Sequence, residues 1–189
     1  IAFLQEPQIG EALRAANAKL ADTLPSLEGA FRGYFAQIHQ ALGEYEQAAT
    51  IQRALLDAQE KAGGKKVIDL LLELGKTLIQ AKKSADAPAI FERCAAFALR
   101  DGNNAIAAEC LQRLATAKRT NFDLQGAVKA YEDAAALYAT LSSDQEVFAK
   151  RYLGFLYESS LNDYVKALEQ FEGALAVAER LASSKVIPL

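Results

Sequence analysis

RYLGFLYESSLNDYVKALEQFEGALAVAE, Arg151 to Glu179, is the stretch whose reading decides the fold. Small residues stand at Gly154, Ala167 and Ala174, with aromatics at Tyr157 and Phe171. Offsets of four and seven from Ala167 place Phe171 and Ala174 on one helical face. The same marks recur upstream. Alanines equivalent to Ala167 lie at Ala127, Ala87 and Ala48, in steps of 40, 40 and 39. Four residues after each come Gln52, Phe91, Tyr131 and Phe171; seven after come Leu55, Cys94, Ala134 and Ala174. Upstream pairs Phe35-Ala36, Leu74-Gly75, Leu114-Ala115 and Leu153-Gly154 complete the set, and three residues after the small member come His39, Leu78, Lys118 and Tyr157.

Small residues let two helices cross closely, and an aromatic plugs the space between one pair and the next. A single helix pair cannot bury its own apolar stripe, whereas stacked neighbours can. Composition agrees. Roughly a fifth of the 189 residues are alanine, the best helix former. There are only four prolines. The expected class is all-α, a right-handed solenoid of antiparallel helix pairs.

The marks resemble the tetratricopeptide repeat (TPR): leucine-glycine, an aromatic three on, alanine after a turn, then an aromatic and another alanine. Leu153, Gly154, Tyr157, Ala167, Phe171 and Ala174 carry that signature nearly complete. The period of 40 exceeds the usual 34, so the resemblance is to long-helix variants such as those of kinesin light chain and the LGN/Pins spindle adaptors. It covers about residues 27–183. The expected units are a partial preceding repeat or capping helix over 1–26, TPR-like repeats over 27–65, 66–103, 104–143 and 144–183, and a tail at 184–189. Expected helices run over 8–22, 27–42, 44–62, 66–82, 86–101, 104–119, 123–141, 145–160 and 163–183. Gly63-Gly64 and Gly102 read as helix ends, Asp86 with Pro88 as a helix start, and Ser143 with Glu146 as a capping box.

Net charge is −3 with pI near 5.3, which argues against a nucleic-acid partner. No apolar run reaches the length of a membrane span. Cys94 and Cys110 read as reduced thiols of a cytoplasmic protein. The chain begins at Ile1 and lacks methionine, so a fragment of something longer is expected.

Nothing in the sequence assembles an active site. The lone histidine, His39, falls on a core-facing repeat position. No nucleophile has a visible base and orienter, and no His, Cys and carboxylate cluster suggests a metal. Gly63-Gly64-Lys65-Lys66 lacks the phosphate-loop spacing and reads as a helix connection. No enzyme activity and no cofactor are expected.

In TPR folds the first helix of each repeat lines a concave groove. The resemblance therefore implies groove positions at Gln37, Gln40, Asp69, Lys76, Gln80, Gln112, Thr116, Arg119, Arg151, Phe155 and Glu158. The plainer reading of each polar member is a solvated surface residue. Together they form a mixed surface with a basic run through Lys76, Arg119 and Arg151, and Phe155 as an apolar anchor. Leu72 and Lys76, and then Gln112 and Thr116, stand where the family's carboxylate clamp needs lysine and asparagine, so chaperone tails are not the expected ligand. The expected function is a protein-interaction scaffold or adaptor binding a peptide or helix, one with acidic residues. Two alternatives are an architectural segment of a longer solenoid in a large assembly, and a ligand-sensing region whose effector lies outside this chain.

Overall fold

A computed structural model describes residues 27–62, 66–83 and 85–184. Among them are eight helices and no strand. They are α1 (27–41), α2 (Tyr45–Lys61), α3 (Val67–Gln80), α4 (Ala87–Arg100), α5 (Asn104–Thr120), α6 (Leu124–Thr140), α7 (Gln145–Ser159) and α8 (Tyr164–Ser184). The expected helix over 8–22 and the Gly63-Gly64-Lys65 connection lie outside the described residues.

The turns keep a rhythm of their own. Gly43, Lys82, Gly102, Phe122, Ser142 and Asn162 all have positive φ, and the last five fall 20 residues apart. Most of these turns close in the same way. At Gly102, the N–H of Asn103 donates to the carbonyl of Ala98 (2.8 Å) and that of Gly102 to Leu99 (3.1 Å), which is a Schellman motif. Asp123 N–H to Lys118 O (2.9 Å) and Ser143 N–H to Tyr138 O (3.1 Å) repeat it. The residue after the left-handed one then caps the next helix. Asn103, Asp123 and Asp163 accept from the N–H groups of Ile106 (3.2 Å), Gly126 (3.0 Å) and Lys166 (3.1 Å). Each hairpin is thus two similar half-units, which is why the helices run antiparallel.

Every helix from α2 to α7 packs on its successor. A main apolar core results, running from Ala49 through Leu71, Leu74, Phe91, Ala115 and Tyr131 to Leu153 and Ala167, with a smaller cluster around Ala108, Ala134 and Tyr138. The small residues admit rings. A Cβ on Gly75 would lie 2.5 Å from Cε1 of Phe91, and one on Gly154 would lie 2.7 Å from Cε1 of Phe171. The glycine of the first helix therefore meets the aromatic of the second, and not the small residue expected opposite it.

Two local expectations are corrected. The N-cap of α7 is Asp144, and the side chain of Ser143 accepts from Gln145 N–H (3.2 Å) and not from Glu146. Glu146 is buried and accepts from Arg180 of α8 at 2.9 Å, so it clasps two helices where a capping box was expected. The cysteines are not free thiols. Cys94 of α4 and Cys110 of α5 form a disulfide joining the second hairpin to the third. Both side chains face the α4–α5 interface, with Cα atoms 5.9 Å apart.

Candidate partner-binding cleft

Helix α5 presents one row, Ala105 followed by the polar Glu109, Gln112, Arg113, Thr116 and Arg119. The spacing of 4, 3, 1, 3 and 3 keeps all six on one face. Opposite stand Tyr131 and Tyr138 of α6, one heptad apart, and Gln145 and Tyr152 of α7, again a heptad apart. Leu141 and Ser143 close one end. The cleft holds ≈ 870 Å³.

Its floor is aromatic. The rings of Tyr131 and Tyr152 stack at 6.0 Å between centroids, 14° from parallel. The Thr116 hydroxyl lies 3.1 Å from the carbonyl of Gln112 and 3.0 Å from Tyr131 Oη, so it joins the α5 backbone to the phenol. Burial pushes the Tyr131 phenol up, partly offset by Thr116 and the Arg119 guanidinium. Tyr138 is pushed up to about 12 by burial and by the Glu109 carboxylate, against the opposing effect of Arg113. Both phenols are therefore neutral hydrogen-bonding groups near pH 7.

The charges are unevenly matched. Arg113 forks onto Glu109, with Nη2 and Nε at 2.7 and 2.9 Å from Oε1. Arg119, the other cation lining the cleft, has no carboxylate partner among the described residues.

Of the residues read from the sequence, the cleft gathers Gln112, Thr116 and Arg119. Lys76 borders it through Glu109 (4.0 Å) but is paired with Glu73 at 2.8 Å. Arg151 lies over the rings of Phe148 and Tyr152, at 5.1 and 5.5 Å. Gln40 donates to Thr77 Oγ1 (2.7 Å), tying α1 to α3. Phe155 packs edge-on against Phe171 at 5.2 Å and remains half exposed, away from the cleft lining. Gln37, Asp69, Gln80 and Glu158 are exposed elsewhere on α1, α3 and α7. His39 pairs its Nδ1 with Glu44 at 2.5 Å and is half-buried outside the cleft. The sequence reading missed Glu109, Arg113, Tyr138 and Tyr152 as cleft residues. The periodic row on α5 would have found the first two, and the heptad from Tyr131 would have found Tyr138.

No histidine or cysteine lines the cleft, and its single acid is tied to Arg113. Among the described residues no group of three or more His, Cys, Asp or Glu could hold a metal ion, and no helix is long and apolar enough to cross a membrane. This arrangement can accept hydrogen bonds, donate them and stack rings.

Solved structures share this architecture. BtubC (BKLC) from P. vanneervenii superposes with a TM-score of 0.71 at 19% identity, over 87% of this chain and 68% of that one. The fold is TPR-like. The nearly identical TPR-like repeats of a Podosopora anserina protein named as a kinesin light chain match at 0.59 and 16% identity, over 84% and 76% of the two chains. A Rap protein complexed with competence and sporulation factor matches this TPR-like chain at 0.60 and 17%, over 80% of it and 44% of the Rap chain. No protein-family model and no curated protein matches the sequence.

Proposed function

We propose that this chain is a non-catalytic interaction scaffold that receives a peptide or helix of a protein partner in the α5–α6–α7 cleft. The repeat units would be 27–65, 66–103, 104–143 and 144–183. The observation that carries the reading is the cleft itself. It has an aromatic floor, hydrogen-bonding walls and a guanidinium without a carboxylate partner, and among its lining residues it lacks a nucleophile with a base. Recognition in a groove by stacking and charge-assisted bonds needs no more than this. A TPR-like neighbour complexed with a factor supports it. Panning a displayed random-peptide library against the protein tests it. Enriched sequences whose binding Tyr152→Ala abolishes, in a variant that keeps its helical circular dichroism, are the expected result. No enrichment, or binding indifferent to that substitution, would sink the reading.

A second reading has its own observation. Helix α1 exposes Leu27, Phe31, Tyr34, Phe35 and Ile38, and α8 exposes Tyr164, Val165, Leu168 and Leu175. Apolar faces at the two ends of the described helices suit an architectural segment continued by further helices. Concentration-dependent assembly in sedimentation, lost on Phe31→Ser or Leu168→Ser, would favour it. A monomer at every concentration would count against it.

A further inference from the structure

We infer that the outer face of α8 takes a basic amphipathic helix of a partner protein, with its apolar row laid on Leu168 and Leu175 and its lysines or arginines set against Glu169, Glu172 and Glu179. This inference rests on the exposed α8 face of the second reading above, not on the cleft, and specifies what docks there.

Spacing sets the conformation of the occupant. Tyr164, Leu168, Phe171 and Leu175 follow one another by 4, 3 and 4, so they form one row along α8. Tyr164, Leu168 and Leu175 are exposed, and α8 packs on α7. Phe171 is partly covered by Phe155 of α7, whose own ring is half exposed beside the row. A row of this spacing is the seam that a second helix fills, its side chains seated between those of α8. An extended chain would lay unpaired backbone N–H and carbonyl groups on the same apolar row, whereas a helix brings its own already paired. Tyr164 and Glu179 are fifteen residues apart, about 22 Å at the helical rise, which suits a partner helix of about four turns.

Charge sets the partner. Glu172 and Glu179 lie a heptad apart, each one residue past the row, and Glu169 stands one turn before Glu172. All three are exposed, and none has a cation partner among the described residues. The cations of α8 are engaged elsewhere, Lys166 with Asp163 (3.4 Å) and Arg180 with Glu146 (2.9 Å). On α7, Arg151 lies over the rings of Phe148 and Tyr152, and Lys150 lies at Gly173. Charges that flank an apolar seam select the helix that docks on it. Two α8 faces would set these carboxylates against each other. The exposed α1 of a second copy has Arg32 as its one Lys or Arg, already paired with Glu28 at 2.7 Å. An anionic lipid surface would be repelled in the same way. A helix with lysines or arginines beside its apolar row satisfies both features.

The test titrates three capped helical peptides of about sixteen residues into the purified chain at low ionic strength, read by fluorescence anisotropy. All share a leucine row at the same 4–3 spacing, and the positions beside it are Lys in the first, Gln in the second and Glu in the third. The Lys peptide should bind about tenfold tighter than the Gln peptide, and the Glu peptide weakest. Glu172→Gln with Glu179→Gln should erase the Lys advantage, Leu168→Ser should weaken the Lys and Gln peptides alike, and Asp57→Asn on α2 should change nothing. The substituted side chains are exposed, so these variants should fold, which circular dichroism checks. Equal binding of all three peptides, lost on Leu168→Ser, would overturn the charge assignment and leave α8 as a docking face. A Lys advantage that survives the double Gln variant, or that disappears instead on Glu109→Gln, would place the helix elsewhere and overturn the inference. No peptide binding by a chain that self-associates through Leu168 would give the face to a second copy and leave the architectural reading standing. No peptide binding by a chain that stays monomeric would overturn both.

Discussion

At Gly75 an added Cβ would press on Phe91, whose ring is fully buried; at Gly154 it would press on Phe171, whose ring is only partly so. Alanine in a helix is worth about 1 kcal/mol over glycine, while overpacking a core costs about 1–3 kcal/mol. The balance therefore depends on whether the ring can yield. Gly75→Ala should lower stability by about 1 kcal/mol in denaturant unfolding, and Gly154→Ala should be nearer neutral. Equal effects would show that ring burial does not decide the cost. In the third hairpin the same position is Ala115, already accommodated against a fully packed core. The spacing in the sequence marks which residues share a face, and so the small positions were legible. It does not say which side chain of the partner helix each one meets, and so the glycine–ring contact was not. Gln52 extends the point. It stands where the other hairpins have Phe91, Tyr131 and Phe171, it is 5% exposed, and its Oε1 has no hydrogen-bond partner. A buried unsatisfied acceptor costs about 1–3 kcal/mol. Gln52→Leu should therefore raise stability by about 1 kcal/mol, and a fall in the unfolding midpoint would show that the amide has a role the apolar side chain cannot fill.

Between the elements, the turns show how far punctuation residues can be trusted. Gly43 and Gly102 mark left-handed helix ends as glycine should, but Lys82, Phe122, Ser142 and Asn162 adopt the same conformation without it. The hairpin geometry imposes the turn, and local preference yields. Phe122 is the sharpest conflict, with φ of 62° and 88% exposure. A side chain in that region costs about 1–2 kcal/mol, partly offset by the unfolded-state freedom a glycine would add. Phe122→Gly should stabilise by about 0.5–1 kcal/mol, and Phe122→Ala should not; a gain from both would attribute the effect to loss of the exposed ring. Helix α6 carries a pH consequence too. Tyr138 loses its proton near 12 in the folded chain, against 10.0 for an ordinary phenol, and Tyr131 is shifted the same way. Between those limits the unfolded chain binds fewer protons than the folded one, so stability falls as pH rises above 10. Phenolate absorbance should develop late for these tyrosines and appear together with loss of helical circular dichroism.

Across the whole molecule, what is local and repeated was legible and what joins distant helices was not. The 40-residue period, the helix limits and the α-solenoid followed from alanine and aromatic spacing, because each hairpin contacts only its neighbours. Gln112, Thr116 and Arg119, named from the groove positions that the TPR resemblance implied, do line the cleft. Tyr138 follows Tyr131 by a heptad on α6, but Tyr152 arrives from α7, and no pattern within one helix ties it to that face. The sequence placed Cys110 at the helix after Cys94, but reduced thiols were expected where the two are bonded. In a solenoid, stability is a sum of hairpins and the interfaces between them, so a covalent link between α4 and α5 acts on one of those interfaces. Closing a loop over 16 residues removes unfolded-state entropy worth about 3 kcal/mol in the chain-entropy account. Both sulfurs are fully buried, so reductant reaches them only when the interface opens. Reduction in denaturant followed by refolding should lower the unfolding free energy by about 2–4 kcal/mol. The Cys94→Ala/Cys110→Ala variant should also fall below the oxidised chain. Mild reductant without denaturant should act slowly, at the rate of local opening. If the oxidised and reduced chains unfold at the same denaturant concentration, the link adds nothing that the packing of α4 on α5 does not already supply.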